Sequence, residues 1–479
     1  MNRRQMFEYA ALGGGAAMLF HTGSAKAVAK GKPAIAFTPT AERIYADIVG
    51  FEIDDTHCHA ITPLMWMEDK AVSVDYFLVR GTLTGMSMEG YLPTGIWGKW
   101  VAADAGGKAK LDSQYGVAKV MAAIAKDLRE SAYVKFMTKE LAAYLDCKPR
   151  LEEVVEARNA LAENYPKYLN GLFRDINLAN VMTDTGYCHG CEGTGLDGYQ
   201  KAILPTRVRG IARVDKLQND LLERDISFDE LEEEFTKRLR DALDGTGNFG
   251  YKSYGMKSYL LPLMGVLRPV YDRSVAAKSW EEYKKNRPTD FSGADRDEQN
   301  MRGKDLRLFL LTIAMEACLE RDMPMQFHAG DGEAPSIILR NQHPYYLEEM
   351  VRFDKNGVMR MPKIVPIHGG YPLVGELTWL CHLYPNCYYE MSIMNPFVHQ
   401  GLSDRLREVM EAVPMSKILY GSDTWCAPEQ YWLAGRWGKR FMAEALGIYV
   451  DESVLTHDEA VAAAKRMLHE NNRALYNLT

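Results

Sequence analysis

Short apolar runs that stop at Gly, Pro or a polar residue alternate along this chain with longer stretches whose apolar positions recur every three or four residues. The first pattern is that of a buried strand, the second that of a helix packed on one face. Strands are predicted at about 51–59, 179–184, 207–213 and 249–254, then in runs that end at His328, His368, Ser392 and Asp423. Helical spacing covers 115–145, 151–173, 225–243 and 304–321, and a capping-box sequence, Thr456-His-Asp-Glu459, opens a last helix that runs to about Tyr476. Eight strands alternating with helices predict an α/β chain folded as one (β/α)8 TIM barrel. Residues 64–175 are too many for an ordinary strand-to-helix loop, so they predict a large helical insertion between strands 1 and 2, over the barrel mouth.

The polar residues that end these strands change the picture. His57 and His59 close the first run, and residues i and i+2 of a strand point to the same face. Two adjacent imidazoles can reach one metal ion, although His-x-His alone reads equally well as a solvated strand face. His328, His368 and Asp423 end three later runs, each followed or preceded at once by Gly or other small residues. Singly, each has a structural reading, and Asp423 after Gly-Ser would also suit a helix N-cap. Together they lie at C-terminal strand ends, the face on which barrel enzymes build their sites. Arg213, at the end of the third run, suits a substrate carboxylate or a salt bridge within the barrel. Tyr371, in Gly-Gly-Tyr-Pro, reads as pocket-lining.

Around these residues the strings QFHAGDGE, PIHGGYPLVGELTWLCHLYPNCYYEMS and ILYGSDTWCAPEQYW, with residues 51–59, resemble the metal-dependent amidohydrolase superfamily. The likeness is to its amidohydrolase-related (amidohydrolase 2) branch of hydrolases and decarboxylases. It implies one divalent ion held by His57, His59, His328 and Asp423, with zinc expected and manganese or iron as alternatives. It further implies that Asp423 takes a proton from an activated water and that His368 stands beside the ion as acid, base or carbonyl-polarising group. Some members carry a carboxylated lysine on strand 4, where Lys252 is predicted to lie; substrate-binding or structural roles weigh more for this residue. The expected reaction is hydrolysis of an amide or other C–N bond, or of an ester, in a small organic molecule. Non-oxidative decarboxylation of an aromatic or other carboxylic acid uses the same ligands and stands as the alternative. A barrel retained only for binding is the third reading.

Charge and cysteines narrow the setting. With a net charge of −7 and no block of like charges, the chain is a poor match for nucleic acid. No apolar run after residue 30 approaches the roughly 20 residues that span a bilayer. The start differs: Arg3-Arg4, a small apolar stretch from Ala10 to Phe20 and Ala25-Lys-Ala27 predict a twin-arginine-type export signal over residues 1–29, hence a periplasmic or exported protein of residues 30–479. Eight cysteines are too few for a disulfide scaffold; Cys188 and Cys191 form a Cys-x-x-Cys open to a loop, disulfide, redox or metal reading. The expected partner is a small-molecule substrate, and homo-oligomer formation is left open.

Overall fold

The computed structural model describes residues 38–82, 88–93, 95–186, 195–247, 249–287, 301–330 and 338–478. The N-terminal segment read as an export signal and the Cys188–Cys191 pair lie outside these residues. Eight short parallel strands organise the rest: β1 (Ile53–Cys58), β2 (Leu178–Asp184), β3 (Arg207–Arg213), β4 (Ser253–Ser258), β5 (Met325–His328), β6 (Ile364–Ile367), β7 (Tyr389–Glu390) and β8 (Ile418–Leu419). The first six form one sheet in chain order, and β7 pairs with β8. A bridge between Ile364 and Cys387 joins β6 to the approach of β7. The ring is then closed by backbone bonds between β1 and the segment after β8: Thr56 N to Tyr420 O (3.0 Å), Asp423 N to His57 O (2.9 Å) and His59 N to Thr424 O (2.7 Å). The expected barrel is present.

Its first strand is unusual. All six residues of β1 are buried although four of them are polar or charged. A buried polar group is tolerated only with a partner, and each has one. Asp54 accepts from Asn180 Nδ2 (2.8 Å) and Arg473 Nε (2.8 Å), Asp55 accepts from Ser422, and Thr56 Oγ1 donates to Asn472 (3.2 Å). The C-terminal helices, which supply Asn472 and Arg473, therefore plug the bottom of the barrel with polar contacts. Tyr476 adds a ring beside Met182, Ile211, Val365, Ile367 and Leu419 in the barrel interior.

The fourth strand lies further along than the apolar run suggested. Gly245, Gly247 and Gly250 all adopt positive φ (71°, 60° and 66°), so the chain is still turning there and extends only from Ser253. Helices account for most of the described residues between 63 and 175, as expected, but the two long patterns each divide. Ser131 caps a new helix over Ala132–Tyr144 by accepting from Val134 N, and Asn164 caps Tyr165–Asp175, whose second residue is Pro166. The capping box at Thr456 and Glu459 forms as predicted. Among the described residues, no helix is long and apolar enough to cross a membrane.

A buried ionic cluster ties the insertion to the chain just beyond Asp423. Arg158 donates to Asp69 Oδ2 (3.0 Å) and Glu429 Oε1 (2.7 Å), and Tyr168 donates to the same Glu429 oxygen (3.0 Å). Arg80 pairs with Asp69 and reaches the Cys426 carbonyl (3.3 Å). Two cations and two anions thus balance in a buried place. Removing one member leaves a charge without its partner, so Arg158→Ala is expected to destabilise the fold by about 3–5 kcal/mol; urea unfolding measures the loss.

Candidate metal centre

β1 carries His57 near its end and delivers His59 just past it, with ring centroids 5.3 Å apart and edge to face. Asp423 meets them from the far side of the closure: its Oδ1 lies 3.1 Å from His57 Nε2 and 3.4 Å from His59 Nε2. His328 ends β5 and His368 follows β6, with His368 Nε2 3.0 Å from His328 Nδ1. His368 Nδ1 is 3.0 Å from Ser392 Oγ and 3.9 Å from Asp423 Oδ2. The structure therefore brings all five expected residues to one end of the barrel.

Two groups of donors could each hold a cation: His57, His368 and Asp423, and His57, His59 and Asp184, the donor atoms of each lying within 4.8 Å of one another. His328 joins through His368. Its Nε2 is buried and has no hydrogen-bond partner among the described residues, which suits a lone pair kept for a ligand outside the protein. Imidazole nitrogens and a carboxylate are a donor set for zinc, manganese or iron. The residues fit a divalent ion.

Charge and tautomer fit it as well. Burial, and after it the Lys257 ammonium, pushes His57 down to about 4, and burial holds His328 and His368 well below their ordinary value. These rings are neutral near pH 7, the form that ligates a metal. Burial works against the Asp423 carboxylate, but the imidazoles that face it, His368 first and then His57 and His59, outweigh burial and hold Asp423 well below its usual range. Gln326 sets the tautomer of His57. Its Nε2 donates to Thr56 O (2.8 Å) and Tyr476 Oη (2.7 Å), so its Oε1 is left to accept from His57 Nδ1 (2.9 Å). The His57 Nε2 lone pair then faces the centre, in the way that a partner on the other ring nitrogen orients a ligating histidine.

The backbone is bent to make this arrangement. His368 and Asp423 have φ of +78° and +52°, the left-handed region that costs a non-glycine residue on the order of 1 kcal/mol. Each is held there by its own amide, His368 N donating to Glu390 Oε2 (3.0 Å) and Asp423 N to His57 O (2.9 Å). Strain of this kind collects at functional sites. Two neighbouring carboxyls are also displaced: burial pushes Asp55 up to about 7 and Glu390 up to about 8, against the hydrogen bonds that each accepts.

Other sequence expectations fare differently. Lys252 is exposed, precedes β4 and lies over the Tyr254 ring (5.4 Å). Because the strand starts four residues later than expected, this lysine marks its N-terminal end, away from the site. The lysine at the centre is Lys257, whose Nζ is 3.0 Å from His57 Nε2 and 3.5 Å from Asp184 Oδ2. Arg213 donates through Nε and Nη2 to Asp184 Oδ2 (2.9 and 2.5 Å), the internal salt bridge that was one of its two readings. Burial opposes the Asp184 carboxylate too, yet Arg213 and Lys257 hold it well below the usual range. Tyr371 is half-buried against the core just after the His368 turn. Asp184, Lys257 and Gln326 escaped the sequence reading; the signal for the first two is that each ends, or nearly ends, a strand, with Arg213 and Lys257 in register.

A metal-competent centre at the C-terminal face of a (β/α)8 barrel defines a class of metal-dependent barrel enzymes. Residues 290–478 match the family model described as amidohydrolase, a stretch that holds β5 to β8 with His328, His368 and Asp423. Over the C-terminal part of the chain, that match bears out the resemblance that its motifs implied. The fluG protein of Emericella nidulans is 29% identical over 158 residues, which are 32% of this chain and 17% of that protein, so the chain spans less than a fifth of this relative's length. Among solved structures, a candidate metal-dependent hydrolase from Lactobacillus casei ATCC 334 superposes with a TM-score of 0.66 at 20% identity, covering 91% of this chain and 97% of its own. Uronate isomerase of Thermotoga maritima gives 0.61 at 13% identity, with the same two coverages of 91% and 97%. At these identities the likeness is one of fold. The second sphere of His57 provides a direct test of the centre: Gln326→Leu should weaken zinc binding by about 10–100-fold, read by competition with a chromophoric chelator, while Lys252→Ala should leave it unchanged.

Proposed function

We propose that this protein is a metal-dependent hydrolase that cleaves an amide or ester bond in a small organic molecule. The convergence of His57, His59 and Asp423, with His328 and His368 linked beside them, is the observation that carries the reading. A divalent ion, zinc in the first instance with manganese or iron as alternatives, supplies Lewis acidity that polarises a carbonyl and acidifies water. His57, His59, His328 and Asp423 are the residues proposed to hold it. Asp423, kept ionised by the surrounding imidazoles, accepts the proton of the attacking water. His368 stands 3.9 Å from the second Asp423 oxygen and supports the leaving group or the developing oxyanion. Lys257 and Arg213 add positive charge beside the centre, which favours a substrate or transition state that carries negative charge there.

A second reading, isomerisation of a sugar acid, draws support from that same positive wall and from the names of two full-length structural neighbours, the uronate isomerases of Thermotoga maritima and Bacillus halodurans C-125. Decarboxylation of an aromatic acid needs the same ligands. One experiment separates the three. Metal-loaded protein is offered amides, esters and lactones, then aromatic carboxylic acids, then uronates. Hydrolysis that falls by about 10²–10⁴-fold in His368→Ala, and is lost in Asp423→Asn, is the expected result. Carbon dioxide release, or isomerisation of a uronate, without hydrolysis would contradict the proposal.

A further inference from the structure

Glu390, on β7, is fully buried, and the reaction as described so far gives it no work. Its oxygens receive three hydrogen bonds: Oε2 from His368 N (3.0 Å) and Ser392 Oγ (2.7 Å), Oε1 from Ser392 N (2.9 Å). Space for it depends on Gly421, where an added Cβ would stand 1.6 Å from Glu390 Oε1. Ser392 Oγ is in turn 3.0 Å from His368 Nδ1, and His368 Nε2 is 3.0 Å from His328 Nδ1. One unbroken line of hydrogen bonds therefore runs from Glu390 through Ser392 and His368 to His328. It ends at His328 Nε2, the buried atom with no partner among the described residues.

A hydroxyl and a neutral imidazole each carry a single hydrogen, so the direction of any one link fixes all the others. If His328 presents a lone pair at Nε2, its hydrogen sits on Nδ1 and is donated to His368 Nε2. His368 must then carry its own hydrogen on Nδ1 and donate it to Ser392, which donates to Glu390. The reverse direction would aim a buried N–H at the cation. Two of the donors on Glu390 are backbone amides, which can only donate, and this agrees with an accepting carboxylate at the head of the line. Without a cation, burial pushes Glu390 up to about 8. Positive charge at the other end of the line favours the ionised form.

We propose that Glu390 and Ser392 are positioning residues of this centre: they hold His368 with its hydrogen on Nδ1, and through it keep the His328 Nε2 lone pair available to the metal. The inference rests on the metal-centre reading of the preceding section. It also assigns a direction to His368, whose hydrogen lies on Nδ1, the nitrogen 3.9 Å from Asp423 Oδ2, and is held by Ser392.

The test is nitrogen NMR of zinc-saturated protein labelled with 15N-histidine, which reads the ring nitrogen that carries hydrogen. Wild type is expected to show Nδ1–H for both His368 and His328. Ser392→Ala removes the acceptor, so His368 should move toward the Nε2–H form and zinc affinity should fall by about 10–100-fold, with an unfolding midpoint near that of wild type. Glu390→Gln, which cannot accept from all three donors, should shift the tautomer in the same direction. An Nε2–H His368 in zinc-loaded wild type, or an unchanged tautomer and affinity in Ser392→Ala, overturns the proposal alone. A wild type that takes up no zinc overturns both this inference and the metal centre.

Discussion

The seam between β1 and the segment after β8 does two things at once. The bonds from Asp423 N to His57 O and from His59 N to Thr424 O close the barrel, and they also set the Asp423 carboxylate against the two imidazoles. Asp55, bonded to Ser422 across the same seam, locks the register. A shift of one residue in this pairing would break the Asp423 N to His57 O bond and carry the Asp423 carboxylate away from the two imidazoles. Barrel closure and assembly of the candidate centre are thus one structural event.

The rest of the molecule offsets what this seam costs. A strand of Asp, Asp, Thr and His is buried whole, which requires partners from Asn180, Ser422, Asn472 and Arg473. Neutral, desolvated imidazoles and a left-handed Asp423 are unfavourable alone. They persist because the surroundings over-determine them, with Gln326 behind His57 and Glu390 behind His368. The helical insertion adds a further brace. Its Arg80 grips the Cys426 carbonyl three residues beyond Asp423, while Arg158 holds Glu429 on the long helix Pro428–Asp451. The insertion is thus anchored to the chain that follows Asp423.

Much of this was legible in the sequence because the barrel repeats one rule: an apolar run, then a polar residue at its C-terminal end. That rule located the ends of β1, β5 and β6 and brought His57, His59, His328, His368 and Asp423 to one place, although β8 itself stops at Leu419, four residues before Asp423. It failed on β4, where an aromatic and glycine-containing stretch looked like strand but positive φ at Gly245, Gly247 and Gly250 keeps it turning. The error moved attention from Lys257 to Lys252. Residues that act through others were harder still. Gln326, Glu390 and Ser392 matter through the atom each one touches, and no spacing along the chain announces a contact made across the barrel. Arg213 shows the converse, because its two readings differed only in whether a carboxylate of the protein, Asp184, lay within reach.

The central claim is that His57, His59 and Asp423 form one metal-binding place, completed by His328. Anomalous diffraction from crystals grown with zinc, recorded on both sides of the zinc absorption edge, tests it most directly. The account predicts one strong peak within bonding reach of His57, His59 and Asp423, absent from crystals of Asp423→Asn. A zinc-soaked wild type with no peak at these residues, or a peak that survives Asp423→Asn at full height, would contradict it.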